Sequence, residues 1–460
     1  MTMNQRGRNP LPPRNGATPA RVLVLEMLLD VTRGGGYAGL VLGKRLRESA
    51  LSELDKAFVT ELFYGTLERT IQLDFCLSRF MERPMQDDVV RLILQMGAYQ
   101  ILFMDRVPDF AACNQQVELV RRFRKDSLAG IVNAVLRNLS RGREEIVYPK
   151  EGAERLSILG SSPLWLAEKL IQWYGEGDAE GLLLSSGKDR PMTIRPNLLR
   201  LGDEELEKRL GASGVRFEKG VVPHLYRVWN LKPGHPLLAG GLASVMGEAS
   251  ALAVMAVGVK GGMQILDACA APGGKACYMA ELLGTSAGRV HAFELHEHRV
   301  QLVQAYAARL GLDTLRVRQR DASLPIADMA ETLDAVLVDA PCSGLGVMHE
   351  KPDIKLTLKP EAFEELPKIQ AAILEGCSGY LKPGGALVYS TCTLNPAENE
   401  EVVRAFLTEH PEFEAKGLEK RLPKPFAARV REGMANFFPH LDGVDGFFIA
   451  RLEKKKGRWA

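Results

Sequence analysis

The sequence predicts a multidomain chain: an all-α N-terminal domain, a small α+β domain, and a C-terminal α/β domain on a doubly wound, mostly parallel sheet. Two patterns and a change between them predict it. From about residue 18 to 142, apolar residues recur at three- and four-residue spacing, the period of helices with one buried face. From about residue 245, apolar runs of strand length alternate with helical segments, the order expected of a parallel sheet. Between them lie one helical run and several short strand-like pieces. At 460 residues the chain is long enough for two to four domains, each with its own core.

The first stretch, MTMNQRGRNPLPPRNGATPAR, is basic and rich in Pro, Gly and Asn. It lacks the apolar core of a signal peptide, so residues 1–17 are expected to be a disordered cytoplasmic tail. RVLVLEMLLDV, SELDKAFVTELFYGTL, DDVVRLILQMGAYQILFM and AACNQQVELVRRF then predict successive helices of a domain spanning 18–142. Ser52 and Asp55 have the spacing of a capping box, and the glycines at 34–36 break the first helix from the second. Basic residues gather late, at Arg121, Arg122, Arg124, Lys125, Arg137, Arg141 and Arg143. They fit a solvated helix face or an RNA-binding face equally well.

The polar stretch GREEIVYPKEGAERLSILGSS reads as a linker, after which Pro163 opens LWLAEKLIQWYG, with Trp165 and Trp173 expected in a core. MTIRPNLL, VRFEKG and LYRVWN complete a small α+β domain, 143–240, in which Arg195 could meet a phosphate. In the final domain, 241–460, the strands read MQILDAC, GRVHAFEL, LRVRQRD, DAVLVDA and GALVYST. A terminal hairpin closes the chain, with DGFFIARLEK as its last strand.

Composition narrows the function classes. No apolar run approaches the roughly 18 residues of a membrane span. The seven cysteines are odd in number and contain no C-x2-C pair, and no His cluster stands near them. A disulfide framework and a metal site are therefore not expected, and reduced thiols in a cytoplasmic protein are. The net charge of +2 is uneven: residues 1–150 carry 22 Lys and Arg against 17 Asp and Glu, the remainder 37 against 40. The basic first third suits a nucleic-acid or acidic-protein partner.

In an open parallel sheet, ligands bind beyond the C-terminal strand ends. The first of these is followed by DACAAPGGKA, where Gly273 and Gly274 allow a tight turn, close backbone approach and a helix start facing an anionic group. The loop is neither G-x-G-x-x-G nor a Walker loop. Glu294, Asp321 and Asp339 end the next three strands. Together with the glycine loop they suit an adenosine-containing cofactor, and a nicotinamide cofactor fits that much equally. Two thiols, Cys342 in DAPCSG and Cys392 in STCT, follow neighbouring strands and suggest covalent chemistry on an electrophilic carbon. A free thiol is only a few per cent ionised at neutral pH, so an activator is needed, for which Lys275 is a candidate.

DACAAPGGK, DAPCSGLGV, KPDIK, STCTLNPAENE and DGFFIA resemble the successive motifs of the Sun-type RNA cytosine-5 methyltransferases, over about 245–455. The helical domain at 18–142 resembles the NusB-type RNA-binding module, and the pairing resembles the bacterial members that act on 16S rRNA. The resemblance implies a Rossmann-like methyltransferase domain, S-adenosylmethionine as cofactor, and 16S rRNA or a small-subunit precursor as partner, with no DNA and no membrane, in a monomer. It further implies that Cys392 bonds C6 of cytosine and that Cys342 assists breakdown of the adduct. Motif reading alone leaves the choice open, because a Pro-Cys supplies the nucleophile in DNA cytosine methyltransferases. Asp339 would hydrogen-bond the base and Lys275 would lie near it. Cys269, Ala270, Ala271, Pro272, Gly273, Gly274 and Lys275, with Glu294, Asp321 and Asp339, would hold the cofactor. His349 and Glu350 stand where the family often has a basic pair. Other readings remain: the same chemistry on another RNA such as tRNA, or a non-catalytic RNA-binding assembly factor.

Overall fold

In the computed structural model, which describes residues 16–34, 36–185, 191–232 and 234–457, the helical periodicity of the first third becomes a bundle. Its helices are α1 (Pro19–Gly34), α2 (Ala38–Glu48), α3 (Glu53–Glu68), α4 (Thr70–Ser78), α5 (Asp88–Phe103), α6 (Asp109–Arg122), α7 (Ala129–Gly142), α8 (Gly152–Leu159) and α9 (Leu164–Leu184). The expected tail, 1–17, lies almost wholly outside the described residues. α5 is the central helix, buried along Val90–Ile101 apart from Arg91, because both of its faces carry apolar residues. Asp87 caps it by accepting from the Val90 N–H, and Ser52 caps α3 by accepting from the Asp55 N–H at 3.1 Å. α3 crosses α5 closely enough that a Cβ on Gly65 would lie 1.9 Å from the Tyr99 ring.

Two expectations change here. The stretch read as a linker contains α8, whose Leu156 and Ile158 are buried. A helix of two turns needs only that much apolar surface, too little to register as a period. Trp165 and Trp173 are half-buried rather than core. The compact unit that holds α1–α9 also takes in residues 348–357, which carry the KPDIK motif. There Leu356 packs on the bundle core and Lys355 Nζ donates to the Gly160 carbonyl at 2.7 Å. Burial lowers the Lys355 ammonium to about 8.

The second unit opens with β1 (Met192–Pro196), α10 (Asp203–Ala212), β2 (Arg216–Lys219), β3 (Tyr226–Trp229), α11 (Pro236–Ala239) and β4 (Ala243–Val245). The strands form an antiparallel sheet in the order β2-β3-β1-β4. The remaining elements are α12 (Glu248–Val257), β5 (Gln264–Asp267), α13 (Gly274–Leu283), β6 (Arg289–Glu294), α14 (Glu297–Leu310), β7 (Leu315–Gln319), β8 (Leu333–Asp339), α15 (Asp353–Thr357), α16 (Ala362–Ser378), β9 (Leu381–Thr391), α17 (Glu400–Glu409), β10 (Phe413–Ala415), α18 (Lys424–Ala427), β11 (Met434–Phe437), α19 (Pro439–Asp442) and β12 (Phe447–Lys454). Of these, only α15 belongs to the first unit.

The large sheet runs β10-β12-β9-β8-β5-β6-β7, with β11 on β12. β9, β8, β5, β6 and β7 are parallel, while the terminal hairpin joins antiparallel to β9. Alternate residues feed opposite faces: Ala335 and Leu337 of β8 enter one core, Val336 and Val338 the other. Strand order reverses between β5 and β8, the switch point where such sheets bind ligands.

Arg195 does not await a phosphate. Its side chain is fully buried, pairs with Glu281 of α13 at 2.5 Å and lies over the Tyr278 ring, so it ties the small sheet to α13, the helix that follows the cofactor loop. The charge that suggested a ligand is consumed inside the fold.

Candidate active site

The loop after β5 continues the sheet's hydrogen bonding: the Ala268 N–H donates to the Leu337 carbonyl and the Ala270 N–H to Phe293, both at 2.9 Å. The Ala271–Pro272 peptide is cis. Gly273 follows at φ +113°, and a Cβ there would stand 3.3 Å from Val303 and Tyr306 of α14. Only glycine combines that backbone with that proximity. A Cβ on Gly274 would meet nothing within 4 Å, so open space fronts the start of α13.

Three acids stand at or just beyond the ends of β5, β6 and β7. Glu294, buried at the end of β6, accepts from the His296 N–H at 3.1 Å and from Arg299, which also donates to the Ala271 carbonyl at 3.3 Å. Asp321, two residues beyond β7, accepts from the Ser323 hydroxyl and N–H, which hold its carboxyl below the usual range. Asp267, the last residue of β5, is 1% exposed, and neither carboxylate oxygen has a hydrogen-bond partner among the described residues. Burial, and then the charge of Asp339, push its carboxyl up to about 7. An unpaired buried carboxylate beside an open glycine cradle is what a ligand carrying both a cationic group and a nucleoside would complete. The residues present therefore fit S-adenosylmethionine, with Asp267 standing beside the set read from sequence and Arg299 bracing Glu294 and the loop. Asp267 stood inside the quoted DACAAPGGK motif but looked like the last residue of a strand.

β8 and β9 run side by side with Asp339 opposite Ser390. Asp339 Oδ1 accepts from the Ser390 hydroxyl at 2.8 Å, and Oδ2 pairs with Lys275 Nζ at 2.7 Å. Burial works to lower the Lys275 ammonium, but the Asp339 carboxylate outweighs it and leaves the group raised. Nζ also lies 5.4 Å from the Phe447 ring centre.

Beyond these strand ends Cys342 Sγ and Cys392 Sγ stand 3.3 Å apart, both half-buried. The hydrogen bond with Cys392, and then burial, raise the Cys342 thiol well above its ordinary range. Either sulfur of the pair can be the donor. The Gly346 N–H donates to the Cys392 carbonyl at 3.0 Å, tying the two loops together. Lys275 pairs with Asp339 and lies within the field of Cys392, which brings Cys392, Cys342, Asp339 and Lys275 together beyond β8 and β9. Cys269–Gly274 and Glu294 meet at the ends of β5 and β6, and Asp321 stands beyond β7.

Residues 254–453 match the family model described as 16S rRNA methyltransferase RsmB/F, and residues 18–141 match the NusB family. The chain is 36% identical over 444 residues to the probable ribosomal RNA small subunit methyltransferase B of Bacillus subtilis, covering 95% of this chain and 99% of that one. It is 33% identical over 435 residues to the ribosomal RNA small subunit methyltransferase B of Thermus thermophilus, covering 94% and 97%. Among solved structures, PH0851 aligns with a TM-score of 0.80 at 24% identity, over 96% of this chain and all of that one. NSun6 from Pyrococcus horikoshii, solved with SFG, aligns with a TM-score of 0.53 at 20% identity, over 67% and 99%.

Proposed function

The chain belongs to the RsmB/F family of 16S rRNA methyltransferases, and from that premise we propose that it methylates C5 of a cytosine in 16S rRNA through a transient bond between Cys392 and C6. Its methyl donor is S-adenosylmethionine, which when bound supplies an electrophilic methyl group. The observation that carries the reading is the pair of thiols 3.3 Å apart beside the Asp339–Lys275 pair.

The C5 carbon of cytosine is a poor nucleophile. Addition of the Cys392 thiolate to C6 makes C5 enamine-like and able to take a methyl group. Lys275 and Asp339 face the same space: the carboxylate accepts from the base, and the ammonium offers a nearby positive charge as the ring gains electron density. After methylation the C5 proton leaves to a base, the S–C6 bond breaks, and its electrons return to the Cys392 sulfur. Cys342, 3.3 Å from that sulfur, is placed to hydrogen-bond it as it departs, which assists release. A cytosine stacked in a helix has to swing out first, because the thiol approaches C6 from above the ring.

The test is a pair of variants on 16S rRNA. Cys392→Ala abolishes 5-methylcytosine formation and gives no adduct. Cys342→Ala lets a denaturation-resistant protein–RNA adduct accumulate. Activity in Cys392→Ala, or no adduct in Cys342→Ala, overturns the assignment.

A further inference from the structure

Beneath the two cysteines lies a carboxylate that the proposed chemistry does not use. Glu398 closes a single turn, Pro396–Glu398, after β9, and its side chain is fully buried. Among the described residues four donors reach it, and none is a cation. The Ser343 N–H and the Gln370 side-chain amide donate to Oε2 at 2.9 and 3.0 Å, and the Ser343 hydroxyl and the Asn395 side-chain amide donate to Oε1. A buried carboxylate held by neutral donors alone is an expensive way to fill space, since an apolar side chain would leave no charge to desolvate.

The position of the donors shows what that arrangement holds. Ser343 follows Cys342 directly, and the Gln370 amide that donates to Glu398 also donates to the Pro341 carbonyl at 2.9 Å. The peptides on both sides of Cys342 are therefore fixed to one centre. Asn395 belongs to the Cys392 loop, and Thr393, next to Cys392, exchanges a hydroxyl contact with Ser343 at 2.7 Å. One carboxylate thus spans the loops that carry the two thiols.

We propose that Glu398 is a positioning residue that sets the gap between Cys342 and Cys392, and so controls release of the methylated base. The inference rests on the cysteine roles proposed above. Its grip on Cys342 is direct, through the adjoining peptide. Its grip on Cys392 is looser, because that residue continues from β9, whose Thr391 is already registered opposite Phe448 of β12. Loosening the clamp displaces the releasing thiol more than the attacking one.

The experiment uses Glu398→Gln, which keeps shape but turns one acceptor into a donor facing donors. Cofactor affinity and the KM for RNA are expected within about twofold of the parent. Turnover is expected to fall by about tenfold or more, with the adduct accumulating as in Cys342→Ala. A second readout reports the gap itself: bridging of the two thiols by dibromobimane slows by about tenfold while the number of reactive thiols is unchanged. A merely structural role moves melting temperature without moving the bridging rate. Unchanged turnover and bridging overturn the proposal, as does loss of turnover with no adduct while Cys342→Ala forms one. If Cys342→Ala itself forms no adduct, the cysteine roles fail, and the bridging rate still decides whether Glu398 sets the gap. Should Glu398→Gln not fold, Gln370→Leu, which cuts the tie from the carboxylate to the Pro341–Cys342 peptide, is expected to slow bridging severalfold, and an unchanged rate overturns the proposal.

Discussion

The Cys342 sulfur lies 3.3 Å from the Cys392 sulfur, at the ends of two neighbouring parallel strands. A disulfide requires about 2.05 Å, so a shift of little more than an ångström separates a reduced pair from a bond. With oxidised glutathione the two thiols are expected to give up two electrons and two protons and form a disulfide, producing two glutathione thiols. Methyl transfer is lost, dithiothreitol restores it, and two fewer free thiols are titrated. Cys342→Ala protein should show no such loss of thiols from the site. Full activity and an unchanged thiol count after oxidation would contradict this expectation.

Asp267 sets a pH dependence. Its carboxyl, raised from 3.8 to about 7 by burial and by Asp339, with Glu294 adding and Lys275 opposing, holds a proton in the folded protein that the unfolded chain releases. This contribution favours the fold at low pH and is lost as pH rises through about 7. Asp267→Asn is therefore expected to raise the melting temperature of the cofactor-free protein at pH 8. The same change should weaken S-adenosylmethionine binding by about tenfold, the scale of one charge-assisted hydrogen bond. Calorimetry in buffers of different ionisation enthalpy should show proton release on binding near pH 7 in the parent and none from this site in the variant. Equal affinity in the two proteins would remove Asp267 from the site.

The basic residues at the ends of α6 and α7 divide by partner. Arg121 pairs with Glu118, Lys125 with Asp87 and Arg143 with Asp109, whereas Arg122, Arg124 and Arg141 are exposed with no ion pair among the described residues. These three, like the exposed Arg137 of α7, which donates only to the neutral Asn133 among the described residues, are available to phosphates. Their joint change to Gln is expected to weaken rRNA binding and to lower the slope of log affinity against log salt by about 2. Changing the paired three should do less. A slope left unchanged by the first variant would place the RNA elsewhere.

Much of the architecture was legible because single segments carry it. Strands β8 and β9 are apolar runs, and Cys342 and Cys392 lie just beyond them, so the meeting of the two thiols needed only that β8 and β9 be neighbours. What escaped was tertiary. Glu398 is one acid in a polar turn until Ser343, Gln370 and Asn395 close around it from three segments. Arg195 looked like a phosphate ligand because an arginine beside a turn usually faces water, and nothing local announces Glu281, 86 residues away. α8 hid in a polar stretch because two buried side chains suffice to dock it.

Residues 348–357 return to the helical unit long after the chain has left it at residue 185. On the ribosome, α1–α9 emerge before the second unit, yet the segment that seats Leu356 and Lys355 follows only after about 170 further residues. At 5–20 residues per second that interval is on the order of ten seconds or more. During it the bundle's docking surface for Leu356 stays uncovered, and the strap that later covers it lies between Cys342 and Cys392 in the chain. The helical unit thus receives its closing segment only while the α/β unit is being made.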